Sequence, residues 1–338
     1  ATAGLLLTTA LAAGAERPRM LLLVNDPIRP GLLEELARLG DAQGIEVDTG
    51  FVEALPESPD AAELAGLDLA VIFAPSHELA RPERIEALRE ALAERQTPLV
   101  VVARERTESH GLEAGLGERI SAYLTEGGER NFAALFAHIA GPLLGLHDAP
   151  VPEPIHYPDH GIYHPDYEGL VFDDLAAYRD WYGDFGERPV IGIALHDTHV
   201  RHTLTGWIDA TIAHIESAGA VPLPFYVPVQ GGEGLSAMTM EAGEPVVEAL
   251  LFYRVSLNPE GRRDDLAALG VPVLQGLIYR DGDEAAWRDD PVGFPRGSTP
   301  FYFAMAEMAG IADPSVVAAE HAVSGEVLPI EPELGMLV

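Results

Sequence analysis

Short, continuous apolar runs alternate with amphipathic stretches along the chain, and the alternation restarts after residue 187. The apolar runs predict strands at 19–26, 67–75, 97–105, 188–197, 245–257 and 271–279, and an extended run at 220–229. Stretches with helical spacing predict helices at 31–44, 81–96, 131–145, 205–219, 263–270 and 298–310. Apolar strands that alternate with helices are typical of a parallel sheet covered on both faces.

The repeated pattern predicts an α/β protein with two tandem, doubly wound, flavodoxin-like domains. The first domain is expected at 16–147 and the second at 188–338, where we expect the chain to be truncated at its C-terminal end. Between them, 148–187 is rich in Pro, His and Tyr and loses the periodicity, so it is predicted to be a connector. A length of 338 residues suits two domains of ordinary size.

The first fifteen residues differ from the rest of the chain. An apolar run at 5–13 is followed by the small residues Ala13, Gly14 and Ala15. This resembles the apolar region and cleavage site of a secretory signal whose basic start is missing, and the run is too short to cross a bilayer. We therefore expect a signal-peptide remnant at 1–15 and a periplasmic or exported protein. The alternative is a frayed extension on a cytoplasmic protein.

Charge and composition exclude several classes of function. The chain has 21 basic and 54 acidic residues, a net charge of -33, and all its basic residues are arginine. So negative a surface repels phosphates, which argues against nucleic acid and anionic lipid as partners. Without lysine the chain contains neither a P-loop nor a Schiff-base lysine, and without cysteine it has no thiolate site.

Histidine is the one concentrated chemical group, with nine of the twelve between His138 and His214. His196, His199 and His202 follow a predicted strand in steps of three, at the kind of strand end where open α/β sheets bind ligands. Neutral imidazole is a common ligand of divalent metals, so these three are the candidate metal ligands. The alternative is that they are solvated loop residues.

A second histidine series lies in the connector. His156, His160 and His164 are four residues apart, but Pro158 and Pro165 interrupt any helix that would align them. A stiff, packed connector accounts for this stretch better than a metal site does.

The same stretch carries a resemblance to a known family. Gly161, Tyr163, His164, Pro165 and Asp166 resemble a G-x-Y-H-P-D signature in the large subunit of cobaltochelatase (CobN) and in the related large subunit of magnesium chelatase. Three further segments are similar to this family in the same order along the chain: 127–145, 188–226 and 269–294. Together the matches span roughly 120–300. We expect the five signature residues to be structural.

The resemblance implies a function. In that family the large subunit binds a tetrapyrrole, such as a cobalamin precursor, and a divalent metal, for which cobalt is the first expectation here. Partner subunits of the AAA+ class supply ATP and Mg²⁺, so the whole assembly is a ligase that forms nitrogen–metal bonds. The chain is expected to be the N-terminal part of such a large subunit and inactive alone.

One departure prevents any catalytic residue from being carried over. The family has a Pro-Glu-Leu-Asp-Gly run after its tryptophan loop, where this chain reads AEHAVSGEVLPIEPE. Two alternatives remain open at this point. One is an exported CobN-like protein that binds a tetrapyrrole, haem or metal without ATP-driven turnover, and the other is a periplasmic binding protein for a small solute.

Overall fold

The computed structural model describes residues 17–25, 28–75, 82–103, 106–228, 233–255, 258–294, 297, 299–321 and 325–337. The predicted signal remnant lies outside these ranges. Within them, no helix combines the length and the apolar character that a membrane span requires.

The chain forms two compact units. The first is built mainly from Leu36–Ala122 and Ala133–Pro152, together with the strand at 19–24. The second contains Ile28–Glu35, Tyr123–Phe132 and the described residues from Glu153 onward. Most of the predicted connector, 148–187, therefore has its contacts within the second unit, and the boundaries expected from sequence stay a prediction.

The elements of the first half follow the predicted alternation. In chain order they are β1 (Arg19–Val24), α1 (Pro30–Ala42), β2 (Glu46–Phe51), a 3-10 turn (Val52–Ala54), β3 (Leu67–Ala74), α2 (Pro82–Glu94), β4 (Leu99–Ala103), β5 (Arg106–His110), α3 (Leu116–Glu126), α4 (Glu129–His138) and a π turn (Ile139–Leu143). The strands form one sheet in the order β2-β1-β3-β4-β5. All neighbours are parallel except β4 and β5, which form an antiparallel edge.

The second half is larger. Its elements are β6 (Gly161–Ile162), α5 (Leu175–Tyr182), β7 (Val190–Leu195), α6 (Asp197–Arg201), α7 (Gly206–Ser217), β8 (Val221–Tyr226), α8 (Glu233–Thr239), β9 (Met240–Glu241), β10 (Glu244–Pro245), β11 (Ala249–Phe252), α9 (Pro259–Leu269), β12 (Val273–Tyr279), α10 (Glu284–Asp289), a π turn (Pro300–Ala304), α11 (Met305–Met308), β13 (Ala312–Glu320), β14 (Val327–Pro329) and α12 (Glu331–Leu337).

The main sheet of the second unit runs β14-β13-β12-β11-β7-β8-β6. Its five central strands are parallel, and only the edge strands β14 and β6 are antiparallel. Taken along the chain, the parallel strands have the doubly wound order of a flavodoxin-like sheet, because the order reverses between β7 and β11. The predicted fold class is confirmed.

Burial on both faces explains the continuous apolar strands. On β7, Ala194 packs into a cluster with Leu223 and Phe252 on one face of the sheet. Its neighbours Ile193 and Leu195 pack into a second cluster on the other face. Successive side chains point to opposite faces, so both must be apolar when helices cover both.

Strand β8 tolerates two prolines because of its position. Val221 donates its backbone N–H to Pro189 on the β7 side. The missing N–H groups of Pro222 and Pro224 therefore face the other side, where β6 pairs over only two residues. A sequence that reads as an irregular extended run is a regular strand beside a short edge.

Candidate functional site

A small cavity lies at the point where the strand order of the second sheet reverses. Open α/β sheets bind ligands at such points, outside the carboxyl ends of the strands. The cavity holds about 40 Å³ and its lining includes His196, His199, Tyr253, Arg254, Gln275, Gly276, Arg280 and Tyr302. Three of these positions follow directly after β7, β11 and β12. The topology of the sheet, rather than closeness in sequence, brings them together.

The two histidines are fixed by the short helix after β7. His196 caps α6, and His199 lies within its single turn, so the rings meet with centroids 5.7 Å apart and nearly perpendicular. The Nε2 atom of His196 accepts a hydrogen bond from the backbone N–H of Val255 at 3.3 Å. The Nδ1 atom of His199 is buried and has no hydrogen-bond partner among the described residues, and only 9% of that residue is exposed.

Both histidines are neutral at pH 7. Burial, reinforced by the charge of Arg254, lowers the pKa of His196 to about 4. Burial and the neighbouring His196 lower the pKa of His199 well below its ordinary value. A neutral imidazole keeps one nitrogen lone pair that is able to bind a metal or accept a proton. In His196 this lone pair already accepts the N–H of Val255, so His199 is the ring of the two with an unused nitrogen among the described residues.

His202, the third predicted ligand, does not line this cavity. Burial also lowers the pKa of His202 to about 4. His202 follows the last residue of α6, so its backbone lies outside the helix that carries His199. In the part of the chain that the structure describes, no three His, Asp or Glu side chains converge as they would around a metal ion. Metal binding by His196, His199 and His202 stays a prediction.

Two arginines give the cavity its charge. Arg254 is 4% exposed and donates to the backbone carbonyls of Val227 at 3.0 Å and Pro228 at 3.3 Å. Arg280 is ion-paired through Nη1 with Oε2 of the buried Glu320 at 3.2 Å. One arginine therefore has its charge balanced by a carboxylate and the other is held by carbonyl groups.

Two aromatic side chains pack next to His199 and against each other. Trp207 lies edge-on to His199 with centroids 5.4 Å apart and packs against Tyr253 at 4.5 Å. The hydroxyl of Tyr253 is 3.3 Å from that of Thr211. On the other side, the ring of Tyr253 lies against the backbone of Gly276, where there is no room for a Cβ atom.

Replacing Gly276 by Ala is therefore expected to destabilise the second unit. The added methyl group would overlap the ring of Tyr253, which is buried and held by Trp207. Overpacking of this kind costs about 1–3 kcal/mol, which urea unfolding measures. The double variant Gly276→Ala with Tyr253→Leu provides the control, since a smaller, flexible side chain makes room for the methyl group. Equal losses in both variants would contradict this account.

A larger cavity lies beside the small one and shares Gln275 and Tyr302 with it. It holds about 500 Å³, which is within the range of small-molecule sites, roughly 300–1,000 Å³. The side chains around it include those of Gln275, Tyr302, Phe303, Ala306, Ile311 and Asp313. A ligand too large for the polar cavity has an aromatic, mostly apolar space next to it.

A partly buried ion pair holds α6 in place. Arg201, at the end of α6, pairs with Glu126 at 3.2 Å and with Asp197 at 3.3 Å. Glu126 also accepts from the backbone N–H of Tyr157 at 2.9 Å, and lies 2.8 Å from Nδ1 of His156. The connector thus fixes the helix that carries His199.

The signature residues of the connector lie away from the cavity. Gly161 is in β6, and Tyr163 donates its hydroxyl to Asp209 at 2.9 Å. His164 is buried against Trp181, with centroids 4.9 Å apart, and its Nδ1 accepts from the backbone N–H of Asp166. None of the five signature residues, Gly161, Tyr163, His164, Pro165 and Asp166, lines the cavity. This geometry suits the structural role expected of them, which stays a prediction.

Comparison with known proteins identifies the family. The model of the CobN/Magnesium Chelatase family matches residues 121–337, which is well over half of the chain. The chain belongs to the CobN/magnesium chelatase family. The matched range includes every residue named at the two cavities.

Individual proteins of the CobN/magnesium chelatase family are similar to this chain in sequence. The aerobic cobaltochelatase subunit CobN of Sinorhizobium sp is 28% identical over 245 residues, covering 67% of this chain and 19% of that protein. The chloroplastic magnesium-chelatase subunit ChlH of Oryza sativa subsp. indica is 26% identical over 222 residues, 58% of this chain and 16% of that protein. The chain spans less than a fifth of the length of these two relatives.

A solved structure supports the fold. The catalytic subunit of cobaltochelatase from Mycobacterium tuberculosis superposes with a TM-score of 0.64 at 18% identity, covering 95% of this chain and 26% of that one. At this identity the similarity shows a shared fold.

Sequence reasoning found the histidines and missed the arginines. A signal for them exists: Arg254 and Arg280 both follow a tyrosine directly after an apolar strand, in the runs Phe-Tyr-Arg and Ile-Tyr-Arg. A charged residue immediately after a buried parallel strand is a candidate for the ligand-binding edge of the sheet.

Proposed function

We propose that this chain is part of a chelatase large subunit in which the two adjoining cavities bind a tetrapyrrole and receive its metal. One observation carries the proposal. A pair of neutral histidines, one with a ring nitrogen that has no partner among the described residues, lines a small cavity, and this cavity shares Gln275 and Tyr302 with an aromatic-lined space of about 500 Å³. Family membership supports the same function, since a chelatase acts on a metal and a macrocycle.

The chemistry of insertion suits neutral imidazoles. A divalent metal replaces two pyrrole N–H protons, so protons must leave the ring as the metal–nitrogen bonds form. A neutral imidazole accepts a proton or holds the incoming metal through its lone pair. His199 has this lone pair or an N–H group unused at Nδ1, and His196 lies beside it.

The proposal extends to the identity of the metal and the macrocycle and to the source of energy. We propose cobalt as the metal, a cobalamin precursor as the macrocycle, and AAA+ partner subunits as the source of ATP and Mg²⁺. The chain has no lysine for a P-loop of its own, which favours a separate ATPase. Because the chain spans less than a fifth of its curated relatives, turnover is proposed only for the whole large subunit.

Absorbance titration of the chain tests the proposal. The ligands are hydrogenobyrinic acid diamide and haem, each with and without Co²⁺, at moderate ionic strength because the acidic surface attracts cations. We expect a saturable spectral shift with the metal-free ring, weakened at least tenfold by His196→Ala or His199→Ala. His110→Ala, in β5 of the first sheet, is the matched control.

Two results would change the proposal. Absence of any saturable shift would contradict tetrapyrrole binding by these cavities. Binding of haem as tight as that of the metal-free ring, unaffected by Co²⁺, would instead support the alternative of a binding protein without ATP-driven turnover.

A further inference from the structure

The Nε–H group of Arg254 has no hydrogen-bond partner among the described residues. A guanidinium group has five N–H donors on three nitrogen atoms. The Nη1 and Nη2 atoms of Arg254 donate to the carbonyls of Val227 and Pro228, whereas its buried Nε atom reaches no acceptor in the part of the chain that the structure describes. The side chain lines the small cavity together with His196 and His199. An unused donor on a buried cation is costly unless something occupies the cavity.

The charge of Arg254 is also unbalanced. Among the described residues no carboxylate lies within ion-pairing distance of it, whereas Arg280 across the cavity has Glu320. Asp197 is close enough to influence Arg254 but is itself paired with Arg201 at 3.3 Å. Burial lowers the pKa of Arg254 to about 10, so the group is still charged at pH 7. Among the described residues the lining of the cavity therefore carries a positive charge that no carboxylate neutralises, and this charge suits an anionic group.

The size of the cavity limits what enters it. About 40 Å³ admits a group of a few heavy atoms and excludes a macrocycle, while the neighbouring cavity is about 500 Å³. A planar, two-oxygen carboxylate fits both the space and the fork of a guanidinium group.

We propose that Arg254 binds a carboxylate side chain of the macrocycle through its free Nε–H, while the ring itself occupies the larger cavity. This inference rests on the proposed function and adds to it the residue, Arg254, that holds a carboxylate of the macrocycle and so positions the ring. Binding of that anion fixes the ring against Tyr302, which borders both cavities.

A pair of ligands that differ only in charge tests the inference. Mesoporphyrin IX has two free carboxylates, and its dimethyl ester has none. Hydrogen bonds to charged groups correspond to roughly a ten- to hundredfold difference in affinity, so we expect the wild-type chain to prefer the diacid by that factor. Arg254→Gln should remove the preference by weakening the diacid alone. Arg179→Gln, which removes an exposed ion pair with Glu241, is the matched control.

The preference ratio separates binding from structural support. A purely structural Arg254, acting through Val227 and Pro228, would weaken both ligands equally when replaced. Equal affinity of the wild-type chain for diacid and diester, or equal weakening of both in Arg254→Gln, would overturn the inference and leave tetrapyrrole binding standing. Failure of both ligands to bind the wild-type chain would contradict the proposed function instead.

A second measurement needs no macrocycle. The ¹⁵Nε–H signal of Arg254, identified by its loss in Arg254→Lys, should shift saturably when sodium acetate replaces sodium chloride at constant ionic strength. An unchanged signal would overturn carboxylate binding by Arg254 even if porphyrins fail to bind. A shift would support it independently of the proposed function.

Discussion

Replacing His199 by Leu is expected to abolish the response of tetrapyrrole binding to Co²⁺ without destabilising the fold. The Nδ1 atom of His199 is buried without a hydrogen-bond partner in the ranges that the structure describes, and a buried polar group in that state costs about 1–3 kcal/mol. Leucine has a similar size and no polar atom, so the free energy of unfolding should be unchanged or higher by about 1 kcal/mol. Ligand affinity in the presence of Co²⁺ should fall on the order of a hundredfold.

Urea unfolding and the absorbance titration measure the two effects on the same samples. His214→Leu is the matched control, because His214 lies in α7, away from the cavity, and its Nε2 atom is hydrogen-bonded to a carboxylate oxygen of Glu331 at 2.6 Å. That variant should bind ligand normally and, if anything, lose stability. A His199→Leu variant that is clearly destabilised but still binds in a Co²⁺-dependent manner would show that the histidine is a packing residue.

A side chain whose hydrogen bonds are incomplete within the fold cannot be predicted from the sequence alone. The strands show the same limit. Strands such as β3 and β7 were predictable because both of their faces are buried along most of their length, which requires nearly every residue to be apolar. Strand β13 was not, since its first residues are exposed and include Asp313 and Pro314, and only its last four are buried. Strand β2 is a half-buried edge with no apolar run to detect.

The candidate site was also predictable only in part, because some of its residues are close in sequence and others are brought together by the sheet. His196 and His199 were found because both belong to one run of sequence after one strand. His202 follows the same spacing, but α6 ends at Arg201 and Thr203 has a positive φ of 57°, so the third step leaves the helix. Arg254 has a local signal as a charged residue after an apolar strand, but its position beside the histidines depends on β11 pairing with β7. Strand order is set by the packing of the whole sheet, so no single segment of the sequence predicts it.

The free energy of unfolding is expected to fall steeply as the pH drops from about 6.5 to 4. Burial lowers the pKa of His196 and His202 to about 4, and that of His199 well below its ordinary value. Arg254 and Arg280 also oppose a positive charge on His196 and His199. At His202 the effect of Asp197, which raises the pKa, is larger than that of Arg201, so burial is what lowers the pKa of that ring.

The direction in which the free energy of unfolding changes with pH follows from proton binding. Between the folded and unfolded pKa values, the unfolded chain binds protons at these histidines and the folded chain does not. Stability is therefore fully present above about pH 6.5 and is lost as the pH falls, by about 1 kcal/mol per pH unit for each histidine involved. Urea unfolding at several pH values between 4.5 and 7.5, roughly the span of histidine titration, measures this slope.

His202→Gln should reduce the slope by about one proton, because it removes one of the three groups that bind protons only after unfolding. Val200→Ala is the control: Val200 is buried beside these histidines and does not titrate, so its loss should lower stability equally at every pH. Carboxylates that titrate at the acid end contribute alike to wild type and variants and cancel in the difference. An unchanged slope in His202→Gln would mean that His202 is protonated in the folded protein, and that the helix after β7 is more open to water than its packing indicates.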